Sequence, residues 1–410
     1  MSTTEPIAAP VTDPVTDYDI FAADFVADPY PVYEAIRARC PVAHTQRHQG
    51  SWMPTTYEAL HDIAHDVDTF SSSDILVFPR PVLPEGFPYA DVAAPPISSD
   101  PPVHQWARKL VLPFFSPGAV RPYEEGTRAL CHRLIDGFAD SGRADVAGDY
   151  AQQIPVRVIA ALLGVDDARS DEFVGWVRAI LEQGHLDPMK RIEARTALLD
   201  FFAEQVADRR VNPREDDLIT QLVQAEVDGD SVPDSHILGT CNLMLVAGID
   251  TTWSAIGSSL WHLAQHPEHR AQLRDDPDLW PSAIEELLRA YSPVTMARIV
   301  AQDTEYAGCP MHQGDRVLMP FPAANRDPAV FDDPDEVHLD REGNRHLAFG
   351  SGIHRCAGSN LARLELRASL QVFLERIPEF ELVDPTAVTW AGGQVHGPRR
   401  CEVRFDVTPS

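Results

Sequence analysis

The stretch Phe349-Gly350-Ser351-Gly352-Ile353-His354-Arg355-Cys356-Ala357-Gly358 constrains this chain more than any other. Small residues lead into a lone cysteine, and an apolar pattern with helical spacing starts directly after it at Leu361, Leu364, Ala368 and Val372. A cysteine at a helix N-terminus faces free backbone N–H groups and the positive end of the helix dipole, and both favour thiolate over thiol. Gly350, Gly352 and Gly358 have no Cβ, so the backbone can turn sharply and a flat group can approach closely. Taken alone, Cys356 reads as a buried structural cysteine. A thiolate held against a flat surface is also what axial ligation of haem iron requires.

The pattern F-x-x-G-x-x-x-C-x-G, here Phe349, Gly352, Cys356 and Gly358, resembles the haem-binding loop of the cytochrome P450 family. The resemblance implies that Cys356 is the proximal ligand of the metal, with Phe349 packed beside it and Gly350 and Gly358 against the cofactor. The cofactor implied is haem b (iron protoporphyrin IX). Three further motifs stand upstream in the order of the family.

The first is the longest helical run, Pro233 to His266, about nine turns at 3.6 residues each. Near its middle, Ala247-Gly248-Ile249-Asp250-Thr251-Thr252 places an acid, two hydroxyls and a glycine inside an apolar helix, against local propensity. Such a break reads either as a tolerated kink or as a site; the Thr251 hydroxyl is placed to bond back to the Ala247 carbonyl or to hold a water. The segment resembles the family's A-G-x-D-T-T motif. That implies Asp250 as the proton-relay acid, Thr251 as the alcohol that holds reduced dioxygen and its water, and Ala247 against the haem.

The second is Asp100-Pro101-Pro102-Val103-His104-Gln105-Trp106-Ala107-Arg108, a fitting helix N-terminus that sets His104 and Arg108 on one face. By itself this is a solvated pair. In the resembling family the same spacing supplies donors to the haem propionates, a role the resemblance extends to Arg298 and His354.

The third is Glu286-Leu287-Leu288-Arg289, an acid and a base three apart. Most such pairs are weak surface bridges. This one resembles the family's E-x-x-R, completed by Arg341 downstream, which makes Glu286, Arg289 and Arg341 a structural network. Val337 departs from the family, which usually carries an aromatic there.

A Pro-rich loop, Ser73 to Pro101, carries large apolar groups, and the resemblance makes it the roof of a substrate pocket. The candidate pocket residues are Phe78, Phe87 and Tyr89 from that loop, Leu243, Val246 and Ala247 from the long helix, and Val294 and Met296 after the E-x-x-R helix. A turn from Gly392 to His396 lies below them. Arg80 reads as a solvated loop arginine or as a partner for a substrate carboxylate. Leu181, His185 and Met189 fall near the break where the family places a mobile lid.

The chain has 410 residues, 44% of them apolar, enough for a sizeable core. The net charge of −28 argues against nucleic acid and anionic membrane as partners. No apolar run spans a membrane, and the start lacks the features of a signal peptide, so the expected location is cytoplasmic. Six scattered cysteines without a C-x-x-C pair argue against zinc or a disulfide framework. The expected fold is mainly α with a minor β portion, a single cytochrome P450 haem domain over residues 26–410 behind a loose N-terminal tail, residues 1–25.

The function implied is haem-thiolate monooxygenation of a small, largely apolar organic substrate with O2, by hydroxylation or oxidative demethylation. No flavin or iron–sulfur segment is present, so the expected electron donor is a ferredoxin, with its reductase and NAD(P)H upstream, docking on the cysteine side near Arg355 and Lys109. Two other readings share the loop: a peroxide-driven or non-oxygen-activating haem-thiolate enzyme, and a non-enzymatic haem gas-binding protein. The Asp250–Thr251 pair speaks against both.

Overall fold

Pro233 sets the start of the longest helix, Asp234–Gln265, and Asp234 in its first turn complements the helix dipole. The helix stops before His266-Pro267, because a residue preceding proline is driven out of the α region. Its 32 residues span about 48 Å and bury side chains on every face, from Ile237 to Ala264. It is the axis of the core, packed against helices Gln153–Leu163, Pro188–Val211 and Ser359–Arg376 and strand Gly397–Arg400. The computed structural model describes residues 10–407 except 82, 84 and 216.

The β portion is minor. Its main sheet runs in the order Val42–Thr45, Ser51–Pro54, Arg316–Pro320, Thr295–Val300 and Phe70–Ser71. Antiparallel register pairs Val317 with Arg298 and Met319 with Met296, which fixes where both residues of the Thr295–Val300 strand stand. The mainly α class with a small β portion is therefore observed. Helices Gln153–Leu163, Ser170–Leu181, Pro188–Val211 and Leu218–Gln224 are separated at Gly164, at residues 182–187 and at Asn212-Pro213.

The roof loop is irregular but seated. The Ile75 carbonyl accepts from Ala297 N at 3.0 Å, and the Ala93 carbonyl lies so close to Gly239 of the long helix that a Cβ there would stand 2.0 Å from it. Only glycine lets the loop cross the helix at that height.

The N-terminal segment differs from expectation. Residues 1–9 of the expected loose tail lie outside the described residues, but from Tyr18 onward the segment is anchored to the body. Tyr18, Ile20 and Phe25 are buried, and the Tyr18 hydroxyl donates to the Ser51 carbonyl at 2.8 Å. A buried aromatic with a satisfied hydroxyl anchors a segment whose polar composition reads as loose. Among the described residues no helix is long and apolar enough to cross a membrane.

Candidate active site

The helix after the cysteine begins at Ser359 and buries Leu361, Leu364, Ala368 and Val372, so the loop before it is pinned from behind. Cys356 N donates to the Phe349 carbonyl at 2.8 Å, closing the loop. Gly352 has φ +67°, and a Cβ there would stand 2.4 Å from the Ala64 carbonyl. Phe349 is held by the Arg363 guanidinium, 4.5 Å from its ring centroid. Arg363 in turn grips Glu285 through bonds of 2.6 and 2.7 Å, and His346 meets the same carboxylate at 3.1 Å. Burial works to raise the Glu285 carboxyl, but Arg363 and His346 prevail and bring it down to about 2.

Cys356 itself opens onto a cavity of about 570 Å³. The surrounding protein raises its thiol above the ordinary value, while the Gly358 N–H and the Arg108, Arg355 and Arg363 guanidinia pull it down. The net direction is opposite to the thiolate preference that a helix N-terminus alone suggests, because the burial of the sulfur outweighs those groups. A coordinating metal would reverse that balance, since a thiol bound to a cation is deprotonated outright.

Phe349, Gly350, Gly358 and Ala247 line the same cavity. At one side of it Arg108, Arg298 and His354 also line the wall. The buried Arg298 guanidinium donates to its neighbour's carbonyl, Ala297 O, at 2.8 Å, and no carboxylate lies within ion-pair distance of it among the described residues. Burial lowers Arg298 to about 10, with Asp100 opposing, so it stays charged at neutral pH. Arg108 donates to the Arg355 carbonyl at 2.5 Å, and His354 Nε2 meets Ser72 Oγ at 2.9 Å. Asp100, the nearby acid, is engaged by Ser71 and Ser72. Two guanidinia without a counter-charge among the described residues, beside a thiol and the glycines Gly350 and Gly358, fit a planar group that carries carboxylates and binds sulfur.

His104 stands apart from these. It is buried, but it lies behind His354, ring centroids 4.3 Å apart, and is not part of the cavity wall. Its nitrogens lie near the Ile353 backbone without closing a well-formed hydrogen bond.

The long helix brings Thr251 to the cavity, where its hydroxyl donates to Ala247 O at 2.7 Å. Asp250 points elsewhere. It is fully buried, outside the cavity wall, and Arg399 donates to its Oδ1 at 2.5 Å; Oδ2 has no partner among the described residues. Arg399 also donates to Glu182 Oε1 at 2.5 Å and to Ser254 Oγ at 3.0 Å. Burial raises the Asp250 carboxyl to about 6, with Arg399 pulling the other way. Arg399 and Glu182 carried no local motif and were not expected.

Of the pocket residues, Phe87, Leu243, Val246, Val294 and Met296 line the cavity, as do Gln394 and Val395 of the turn after Gly392. Phe78 and Tyr89 do not. Phe78 is buried outward of the wall, edge-on to Phe21, and Tyr89 turns its hydroxyl to Asp200 at 2.7 Å. An irregular loop has no periodicity to say which side chain faces in. His185 likewise stacks on Phe21, centroids 4.0 Å apart. Glu365, from the helix after Cys356, reaches the cavity wall unforeseen, its carboxyl raised well above the usual range by burial.

Behind the site, Glu286 accepts two bonds of 2.8 Å from Arg289 and bonds of 3.0 and 3.1 Å from Arg341 Nε. Arg289 donates onward to the carbonyls of Asn325, Pro334 and Glu336. Asn344 and the His338 N–H complete the carboxylate's shell. Val337 is half-buried against the core.

A sequence profile of the cytochrome P450 family matches residues 156–385, more than half of the chain. The chain belongs to the cytochrome P450 family. Among its relatives, a probable cytochrome P450 127A1 of Sinorhizobium fredii is 37% identical over 87% of this P450 and 83% of that one. A steroid C26-monooxygenase of Mycolicibacterium smegmatis is 34% identical over 96% of this P450 and 97% of the relative. The solved structure of the bacillaene polyketide synthase P450 PksS of Bacillus subtilis superposes with a TM-score of 0.86 at 27% identity, covering 95% of this P450 and 100% of PksS. The fold is thus the P450 fold, and this P450 is an enzyme of the monooxygenase class with a haem-thiolate cofactor.

Proposed function

We propose that this P450 inserts one oxygen atom of O2 into a small, largely apolar organic substrate, by hydroxylation or oxidative demethylation. The observation that carries the reading is that Cys356, Thr251 and the Arg108–Arg298–His354 group line one cavity. Haem b, when bound, supplies dioxygen binding and its reductive activation. Cys356 would hold the haem through its sulfur, and Arg108, Arg298 and His354 would meet its carboxylates, with His104 packed behind His354.

Thr251 spends its proton on Ala247 O, so its oxygen is free to accept from a water and hold that water in the cavity. Asp250, whose Oδ2 has no partner among the described residues and whose carboxyl is raised to about 6 by burial, is suited to take up and release the protons that such a water delivers. The roof loop and the long helix exclude bulk water from the apolar part.

Electrons are assigned to a ferredoxin. Arg355 and Lys109 are exposed, and so are the apolar Val103, Leu112 and Ile353, on the two segments that Arg108 joins. Apolar groups beside cations suit a small acidic partner. Six free cysteines agree with a reducing, cytoplasmic setting. Turnover of the holoprotein with a ferredoxin, its reductase and isotopically labelled O2 tests the reading. One labelled oxygen atom is expected in a hydroxylated product, or in the formaldehyde released by a demethylation and trapped as it forms; a hydroxylated product without label, or turnover with hydrogen peroxide but none with the ferredoxin system, contradicts it.

A further inference from the structure

The cavity carries cations that this chemistry does not use. Arg191 and Arg195, one turn apart on helix Pro188–Val211, and Arg80 of the roof loop all line it. Two of them are engaged. Arg80 pairs with Asp74 at 3.0 Å, and Arg195 donates to the carbonyls of Tyr89 and Val92 at 3.2 and 2.5 Å.

Arg191 is different. It is 8% exposed, its stem packs where a Cβ on Gly184 would come within 2.5 Å of its Cδ, and its guanidinium lies 5.0 Å from the Phe78 ring centroid. Among the described residues its guanidinium makes no hydrogen bond and no ion pair, and its Nη1 is buried without a partner. Burial, with Arg80 and Arg195 adding repulsion and Asp74 opposing, lowers it only to about 10, so it remains a cation at neutral pH. The Phe78 ring offsets part of the lost hydration. A buried guanidinium without a counter-charge is otherwise costly, and a fold that keeps one in a cavity wall is prepared for an anion.

We propose that the substrate is a carboxylic acid with an apolar body, and that Arg191 receives its carboxylate. Arg195 is held by two backbone carbonyls, which leaves the Arg191 guanidinium as the one of the three with no hydrogen-bond partner among the described residues, and its fork matches a carboxylate. Phe87, Leu243, Val246 and Val294 give the apolar body its wall. The inference rests on the monooxygenase reading and adds the substrate class to it.

The test titrates the ferric holoprotein with apolar carboxylic acids (fatty, aromatic and terpenoid) and the methyl ester of each, following the haem absorbance, in the wild type and in Arg191→Met. At least one acid should bind about ten- to a hundredfold more tightly than its ester, and Arg191→Met should bring the acid's Kd to that of the ester. Equal binding of acids and esters in the wild type overturns the proposal, as does a preference that survives in Arg191→Met. If no compound shifts the spectrum, the ligand-free protein decides. Removing an unmatched buried charge should raise the thermal midpoint, whereas a lower midpoint makes Arg191 a structural residue and overturns the proposal. A protein that takes up no haem would instead contradict the monooxygenase reading, which the thermal comparison does not depend on.

Discussion

Arg399 donates to Asp250 Oδ1 across 149 residues of sequence, at 2.5 Å, and with its Nε to Glu182 just beyond helix Ser170–Leu181. One guanidinium therefore joins the middle of the long helix, the chain before the Pro188–Val211 helix and the strand Gly397–Arg400. It also lies 4.1 Å from the Trp253 ring centroid, which fixes its plane.

Burial holds the folded Asp250 carboxyl up at about 6, above the ordinary value of 3.8. Between those two values the folded protein binds a proton that the unfolded chain does not. This group's stabilising contribution is complete below the lower value and is lost as pH rises through about 6. If Asp250 supplies protons, coupled product yield should fall on the alkaline side of a limb near pH 6. Arg399→Gln removes the opposing cation and should move that limb up by about 1 unit or more. A pH profile of product per NAD(P)H checks this; an unmoved limb removes Asp250 from the relay.

Thr251→Ala takes away the cavity hydroxyl while leaving Ala247 O with its helical partner. Product formation should drop by about 100-fold while NAD(P)H and O2 consumption continue. Simultaneous assay of oxygen uptake and product distinguishes this uncoupling from a folding defect. Unchanged coupling would assign the protons elsewhere.

Glu286 is buried between Arg289 and Arg341. Glu286→Gln leaves two guanidinia facing a neutral group and should cost about 3–5 kcal/mol of stability. Denaturant unfolding together with haem retention measures it, and a loss under about 1 kcal/mol would contradict a structural role.

Gly239→Ala places a methyl 2.0 Å from the Ala93 carbonyl. Roof loop or helix must shift, at a cost of about 1–3 kcal/mol. Because the same loop lines the cavity, substrate-induced spectral shifts should weaken as well. A variant as stable as the wild type, with the same ligand Kd, would show that the loop is not seated on the helix.

Much of this was legible because the motifs are contiguous. The Cys356 loop, the Ala247–Thr252 segment and Glu286–Arg289 each carry their geometry in local spacing, and the apolar period after Cys356 marks the helix that pins it. What escaped depends on distance or irregular backbone. Arg399 reaches Asp250 from a strand near the C-terminus, and Glu285 reaches Arg363 over 78 residues. Phe78 and Tyr89 sit in a loop with no repeating face, so their outward direction had no local signal. Tyr18 anchors a segment whose composition reads as loose, because one aromatic contact outweighs many polar neighbours. Gly239 looked like any helical glycine until the loop crossed it.

The central claim is that Cys356 binds haem iron through its thiolate, and the absorbance of the reduced, carbon monoxide-bound holoprotein tests it most directly. The wild type, Cys131→Ser and Cys401→Ser should all show the strongly red-shifted Soret band of thiolate ligation, and Cys356→Ser should lose it. A Cys356→Ser protein that keeps the band, or a wild type that never shows it, would contradict the account.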